Sequence, residues 1–249
     1  MNIIRCNNSV SDEDRAKHNF QGDLIIYQNI SAMQALIAYA DKLLRDNLEG
    51  VKPTEAQTHY SPEEFLQRTG NAQSHFRNSQ TAKDLFFRAL EQCGVDLSCT
   101  YYDHFPMRIV PFDTSYNGSD CGVIGHHRDT WGSNIHSQIN WWEPIYELEE
   151  ERTIGVYPYY WENPIENDTA TWSHKEYLRV RSETEKERAP NYPSAPSPQA
   201  NIDESGVVKV MLNPGEILSF SSAHLHASVP NTTQATRFSV EMRSINKKD

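Results

Sequence analysis

Apolar residues recur with a helical period along the first hundred positions and with a strand period along much of the rest. The opening stretch holds one extended run, Leu24-Ile25-Ile26-Tyr27. Ser31 then caps a helix that the spacing of Ala, Leu and Ile carries to about Asn47. Ser61-Pro62-Glu63-Glu64 sets Ser at the cap, Pro at the first helical position and Glu at the third, the pattern of a reciprocal capping box. Asn78 or Ser79 precedes a further helix, Thr81 to Gln92, in which Leu85, Phe86, Ala89 and Leu90 share one stripe. These helices are expected to buttress a sheet, with their aromatic residues in its core.

From about Cys99 the pattern alternates and turns aromatic, Thr100 to Val110, and strands are predicted from there on. They fall at Ile135 to Trp142, Thr153 to Trp161, Val207 to Leu212, Glu216 to Phe220, Leu225 to Val229 and Thr236 to Ile245. The stretch Gly125 to Trp131 has strand character too. Helices followed by many strands predict a mainly β fold with flanking α-helices: a barrel or double-sheet roll, backed by helices on one side. The chain reads as one domain, residues 1–249, with 1–98 mostly helical and 99–249 the strand-built core. One segment breaks the rhythm. Residues 162–205 are polar, hold a predicted helix around Ser173 to Arg188 and a Pro-rich run from Ala189 to Pro198, and carry Trp172 and Tyr177, which a solvated linker would not need. A lid is the expectation there.

Composition narrows the partners. A net charge of −11 and a pI near 5.4 argue against nucleic acid, whose phosphates would be repelled, and favour a small-molecule substrate. No run is long enough to span a bilayer, and Met1-Asn2-Ile3-Ile4-Arg5 lacks a signal-peptide apolar region, so a soluble, cytoplasmic protein with no membrane partner is expected. Cys6, Cys93, Cys99 and Cys121 show no C-x-x-C pairing and read as free thiols.

Candidate chemistry centres on Gly125-His126-His127-Arg128-Asp129-Thr130-Trp131. On a strand, His127 and Asp129 at i and i+2 point the same way. Together they make two thirds of a facial metal site, in which two histidines and one carboxylate hold Fe(II) and leave positions open. The second histidine is sought late in the chain, where His224 and His226 share a strand face. Eleven positions past His226 stands Arg237, flanked by apolar residues. It would be costly to bury without an anion, and a bound dicarboxylate supplies one.

His127-Arg128-Asp129, the segment Gly215-Glu216-Ile217-Leu218-Ser219-Phe220, His226-Ala227-Ser228, Asn231, Thr232 and Arg237 together resemble the Fe(II)/2-oxoglutarate-dependent oxygenases, in particular the phytanoyl-CoA hydroxylase-like group. The resemblance covers roughly Cys99 to the C-terminus. It implies a double-stranded β-helix (jelly-roll, cupin-like) core, and its spacing selects His226 over His224. By the same resemblance His127, Asp129 and His226 bind Fe(II), and Arg237, with Ser228 or Ser239, takes the far carboxylate of 2-oxoglutarate. O2 takes the remaining metal position, and the implied reaction hydroxylates an unactivated C–H bond with release of succinate and CO2. Related halogenases carry Gly or Ala in place of the carboxylate, so Asp129 points to hydroxylation. In the family the strand after H-x-D has a tryptophan facing the metal, which turns Asn140 and Trp142 inward and makes Asn140 a candidate for 2-oxoglutarate.

For the substrate, a small polar metabolite such as an amino acid or a natural-product intermediate, the candidate residues are Arg108, Trp131, Trp142 and Tyr157, with His104, His126 and Tyr159 as further hints. His126, His136 and His224 are expected to be non-ligands. Glu151 to Trp161 departs from the family, which often has an Asn-Gly turn and a Pro-Gly-Ser-His segment there. Two other classes compete: a cupin-like metal enzyme without 2-oxoglutarate, with His224 and His226 as paired ligands, and a non-enzymatic jelly-roll module that binds a small molecule.

Overall fold

Leu24–Tyr27 is buried on both faces, which is why it is an unbroken apolar run rather than an alternating one. It is the second strand of a seven-stranded sheet in the computed structural model, which describes residues 1–103, 105–118, 121–184, 192–193 and 195–248. The strands are β1 (Ile3–Cys6), β2 (Leu24–Tyr27), β3 (Thr100–Tyr102), β4 (Met107–Val110), β5 (Gln138–Pro144), β6 (Ile154–Val156), β7 (Val208–Val210), β8 (Ile217–Ser221), β9 (His226–Ser228) and β10 (Arg237–Asn246). The large sheet runs β1-β2-β8-β5-β10-β3, with β4 also on β10, and the small one runs β7-β6-β9. The helices are α1 (Asp12–Phe20), α2 (Ser31–Asn47), α3 (Pro62–Asn78), α4 (Gln80–Gln92), α5 (Asp129–Ser133), α6 (Tyr159–Glu162) and α7 (His174–Thr184). More described residues lie in helices than in strands, so the architecture is mixed α and β rather than mainly β.

Alternation sorts the large sheet into two faces. Ile25, Tyr27, Ile139, Trp141, Phe238, Val240 and Met242 pack against Leu36, Phe76 and Phe86 of α2, α3 and α4. Leu24, Ile26, Trp142, Leu218 and Phe220 pack against Ile154, Val156 and Val210 of the small sheet. The order of layers is therefore helices, large sheet, small sheet, and polar residues of β5 and β10 that share the second face look into the space beside the small sheet.

Several predicted elements are cut short, each for a visible reason. The run Thr100 to Val110 breaks between β3 and β4 at Pro106, which has no N–H for a ladder. The strand expected from Thr153 to Trp161 stops at Val156, and Pro158 leads into α6. Gly125 to Trp131 is not a strand: His127 forms an isolated bridge, and Asp129 opens α5. Asn134, with φ of 54°, ends that helix in a left-handed conformation, so β5 begins at Gln138 instead of Ile135. Helix α1 went unpredicted because its buried residues are Arg15 and Asn19, which leave no apolar period to read. The capping at Ser61 and Ser79 is as expected, each hydroxyl accepting a backbone N–H, from Glu64 and Ala82. All four cysteines are free thiols. Among the described residues no helix is long and apolar enough to cross a membrane.

Glu143 of β5 is fully buried in this framework, and neither carboxylate oxygen has a hydrogen-bond partner. Burial pushes its carboxyl well above the ordinary range, outweighing the opposite pull of the nearby Gly215 amide. A folded-state pKa above the unfolded value of about 4.3 means that the contribution of Glu143 is fully present below that value and is lost as pH rises through the folded pKa. Glu143→Gln is therefore expected to melt close to the wild-type chain at pH 4.5. At higher pH it should pull ahead by up to about 1.4 kcal/mol per pH unit. A melting difference that stays flat from pH 4.5 to pH 8 would contradict this account.

Candidate metal centre

His127 and His226 lie side by side because the backbone holds them there. Each donates its N–H to the other's carbonyl at 3.0 Å, the doubly bonded pair of an antiparallel ladder. Their rings stand 4.3 Å apart between centroids. After His127 the chain stays extended for one residue, Arg128, and then winds into α5, whose first residue is Asp129. The Thr130 amide donates to Ser222 O at 3.4 Å and ties that turn to the segment after β8. Spacing of i and i+2 thus works here through a bridge followed by a helical turn, not through strand alternation.

The carboxylate meets both rings: Asp129 Oδ1 is 3.9 Å from His127 Nε2, and Oδ2 is 3.7 Å from His226 Nε2. One ligand atom from each residue falls within 4.8 Å of the others, a group that could hold a metal ion. The tautomers suit a cation. His127 Nδ1 donates to Gly125 O at 2.9 Å and His226 Nδ1 donates to His224 O at 3.0 Å. A carbonyl only accepts, so both protons sit on Nδ1 and both Nε2 lone pairs face Asp129. Burial and the neighbouring His127 push His226 down to about 4, leaving it neutral at pH 7 as a ligand must be. Burial works to raise the Asp129 carboxyl, but the groups around it, the Arg243 guanidinium and the Asn140 hydrogen bond among them, outweigh it and hold the acid below its usual range.

Two strands support the carboxylate. Asn140 of β5 donates to Asp129 Oδ2 at 2.6 Å and accepts from Ser222 Oγ at 2.5 Å, while Gln138 donates to that Ser222 at 2.7 Å. Asn140, expected at 2-oxoglutarate, is instead engaged at both ends of its amide. Arg243 of β10 donates to Asp129 Oδ1 at 3.1 Å. The sequence reading missed Arg243, although parity with Arg237 and Ser239 along β10 reaches it. Nothing in the sequence marks Ser222.

Arg237 lies further along the same face of β10 as Arg243 and is 2 % exposed. It donates to Thr153 O at 2.5 Å and to Ser228 Oγ at 3.1 Å, and its guanidinium carbon stands 5.9 Å from the Trp142 ring centroid. Its Nε has no partner, and among the described residues no carboxylate pairs with it. Burial brings its pKa down to about 10. Asn231 pins the loop before β10, donating to Val110 O and Ala235 O. Ser228 shares the wall of a cavity of about 900 Å³ with the three clustered residues, Arg237, Trp142 and Arg108. Ser239 does not line it: it lies under that wall with its hydroxyl unpartnered.

The other candidates disperse. Arg108 is on the cavity but ion-paired to Glu241 at 2.6 Å. Trp131 and Tyr157 do not line the cavity; they belong to a separate apolar cluster with Tyr160 and Leu225, because α5 and the end of β6 turn them to the far side of the small sheet. Tyr157 donates to Glu204 at 2.7 Å, and His126 reaches both Tyr157 and Glu204 at 2.9 Å. Tyr159 is 65 % exposed, His136 sits in an exposed turn, and His104 lies outside the described residues. His224 is buried against Trp161, its two ring nitrogens each 3.0 Å from a carbonyl, of Ser221 and Gly22. Its backbone, not its ring, orients His226. The insertion closes one side of the cavity with Trp172, His174, Tyr177 and Leu178, and its predicted helix is α7, with 185–188 outside the described residues.

No protein-family model and no curated protein sequence matches the chain. Among solved structures it is similar to EvdO2 from Micromonospora carbonacea var. aurantiaca complexed with 2-oxoglutarate, with a TM-score of 0.51 at 13% identity over 97% of this chain and 93% of that one. It is also similar to the non-heme monooxygenase ThoJ in its apo form, with a TM-score of 0.49 at 18% identity over 94% of this chain and 77% of the other. The likeness to EvdO2 establishes a shared fold.

Equilibrium dialysis against Co(II) is expected to give one bound ion per chain, lost in His226→Ala and weakened about 10- to 100-fold in Asn140→Ala, which removes the donor on Asp129. Retention of the ion in His226→Ala, with loss in His224→Ala, would identify the other histidine as the ligand.

Proposed function

We propose that the protein is a non-haem iron, 2-oxoglutarate-dependent oxygenase, its two sheets forming a double-stranded β-helix within a single domain. One observation carries the reading: Arg237 is a buried cation with no carboxylate partner among the described residues, on the same cavity as the His127, Asp129 and His226 cluster. A guanidinium in that setting calls for an anion from outside the chain. His226 and Ser228 share a face of β9, about 7 Å apart along the strand, so a short dicarboxylate can reach from the metal position to the Arg237–Ser228 pair.

The donor set fits Fe(II): two neutral imidazoles and one carboxylate, with the rest of the coordination sphere open to the cavity. When bound, iron and 2-oxoglutarate supply the activation of O2 that oxidises an unactivated C–H bond, with succinate and CO2 released. The chain's own part is positional. Asn140 and Arg243 fix the Asp129 carboxylate from two sides, backbone carbonyls fix both imidazoles, and Trp142 lies against the Arg237 guanidinium and keeps water from it.

Hydroxylation remains the reading for the reaction, since the carboxylate ligand is present. Cavity size bears on the substrate. About 900 Å³ is at the upper end of pockets that take drug-sized molecules, which favours a natural-product intermediate over a single amino acid. Trp172 and Tyr177 from the insertion offer that molecule an aromatic wall, and Trp172 is held by its indole N–H donating to Pro193 O at 2.8 Å. The insertion accordingly acts as the lid that keeps the reacting atoms from water.

Anaerobic Fe(II) and 2-oxoglutarate should give a weak visible metal-to-ligand charge-transfer band, and Arg237→Leu should need at least about thirtyfold more 2-oxoglutarate to reach it. A wild-type chain without the band, or an Arg237→Leu variant with unchanged affinity, defeats the proposal. Trp172→Ala is expected to release more succinate per substrate oxidised while leaving the band intact. Unchanged coupling would make the insertion a linker.

A further inference from the structure

Asp129 is 11 % exposed, and the two imidazoles beside it offer no hydrogen bond. With Nδ1–H of each ring given to a carbonyl, lone pairs face the carboxylate at 3.9 and 3.7 Å. Until a cation arrives, the acid is stabilised by what reaches it from β5 and β10. These two strands are adjacent, and Asn140 is the register partner of Arg243, so their side chains converge on one carboxylate, Asn140 on Oδ2 and Arg243 on Oδ1. Among the described residues Arg243 is the one permanently charged cation in contact with Asp129. Its hold is shared. Nε donates to Asp103 Oδ2 at 2.5 Å, the Arg243 amide donates to Asp103 Oδ1 at 3.0 Å, and the Asp103 amide donates back to Arg243 O at 3.1 Å.

We propose that Arg243 is a stand-in counter-ion for the metal: it holds and aims the Asp129 carboxylate in the metal-free protein and yields it when the cation binds, retaining Asp103 as its partner. The inference rests on the metal-centre reading. A dication bonded to Asp129 and a guanidinium on the same carboxylate repel each other, so Arg243 stabilises the metal-free form more than the loaded one. Asp103 makes the exchange cheap, because the arginine is never left without an anion. A residue needed only for packing would support both forms alike.

Thermal melting of metal-free and Co(II)-saturated chains separates the two roles. Arg243→Gln is expected to lower the metal-free melting temperature by about 4–8 °C while the cobalt-saturated variant melts within about 2 °C of the wild type, so its cobalt-induced rise is the larger one. Arg243→Lys, which keeps a charge with fewer bonds, should fall between, and Asp103→Asn, which leaves Arg243 without an anion once the metal takes Asp129, should lower the cobalt-saturated form more than the metal-free one. An equal drop in both forms of Arg243→Gln overturns the inference. If that variant does not fold, an equal drop in both forms of Arg243→Lys overturns it instead. A wild-type chain whose melting does not respond to Co(II) at all sinks the metal-centre reading itself, a different and recognisable failure.

Discussion

A single antiparallel pair of backbone hydrogen bonds, between His127 and His226, holds the centre together. Residues that exchange both N–H···O bonds have their Cα atoms fixed about 5.5 Å apart, and this brings a loop residue and a strand residue into one site although 99 positions separate them. Everything else is hung from that pair. The helical turn at Asp129 begins two residues after it, and Ser228, which meets Arg237, follows two residues after its other half. The carbonyls of Gly125 and His224, which choose the imidazole tautomers, belong to the same two segments. The pair is pinned by main chain, so the histidines are placed whatever their own protonation.

The parts of the site legible in the sequence were those governed by strand parity. Arg237 and Ser239 on one face of β10, Phe238, Val240 and Met242 on the other, and Asn140 with Trp142 on the inward face of β5 all follow from period two, and the layers respect it. The same rule, carried four residues further, reaches Glu241 and Arg243. Where a turn intervened, parity failed. Trp131 was followed outward along a strand that is really α5, and Tyr157 along a strand that ends at Val156, and both face another cluster. Ser222 and the N-terminal helix α1 left no periodic signal: the first acts through a hydroxyl in a turn, the second buries polar residues. Ser228 and Ser239 were equivalent by type, and only the cavity wall separates them.

The strand β10 also organises charge. Its inward face reads Arg237, Ser239, Glu241, Arg243, and each ion on it has a different kind of answer. Glu241 is met by Arg108 across the sheet, Arg243 is divided between Asp103 and Asp129, and Arg237 has backbone and hydroxyl acceptors but no anion among the described residues. In a chain of net charge −11 the carboxylates to satisfy Arg237 are plentiful, so its isolation is a property of this particular pocket. Low solvent access at Arg237 makes an unpaired charge there costly.

β10 lies between β5 and β3 in the sheet, and β4 pairs with it as well. Among the described strands it is also the last to be synthesised. Until it arrives, β5 presents a long open edge, β3 and β4 have no strand to lie on, and the helices α2, α3 and α4 cover a sheet that lacks β10. From the synthesis of β5 to that of β10 the nascent chain therefore carries an unpaired edge, the kind of surface that chaperones shield and that seeds aggregation. The same late segment brings Arg237 and Arg243 to the cavity, so pocket chemistry and sheet closure are completed in one event.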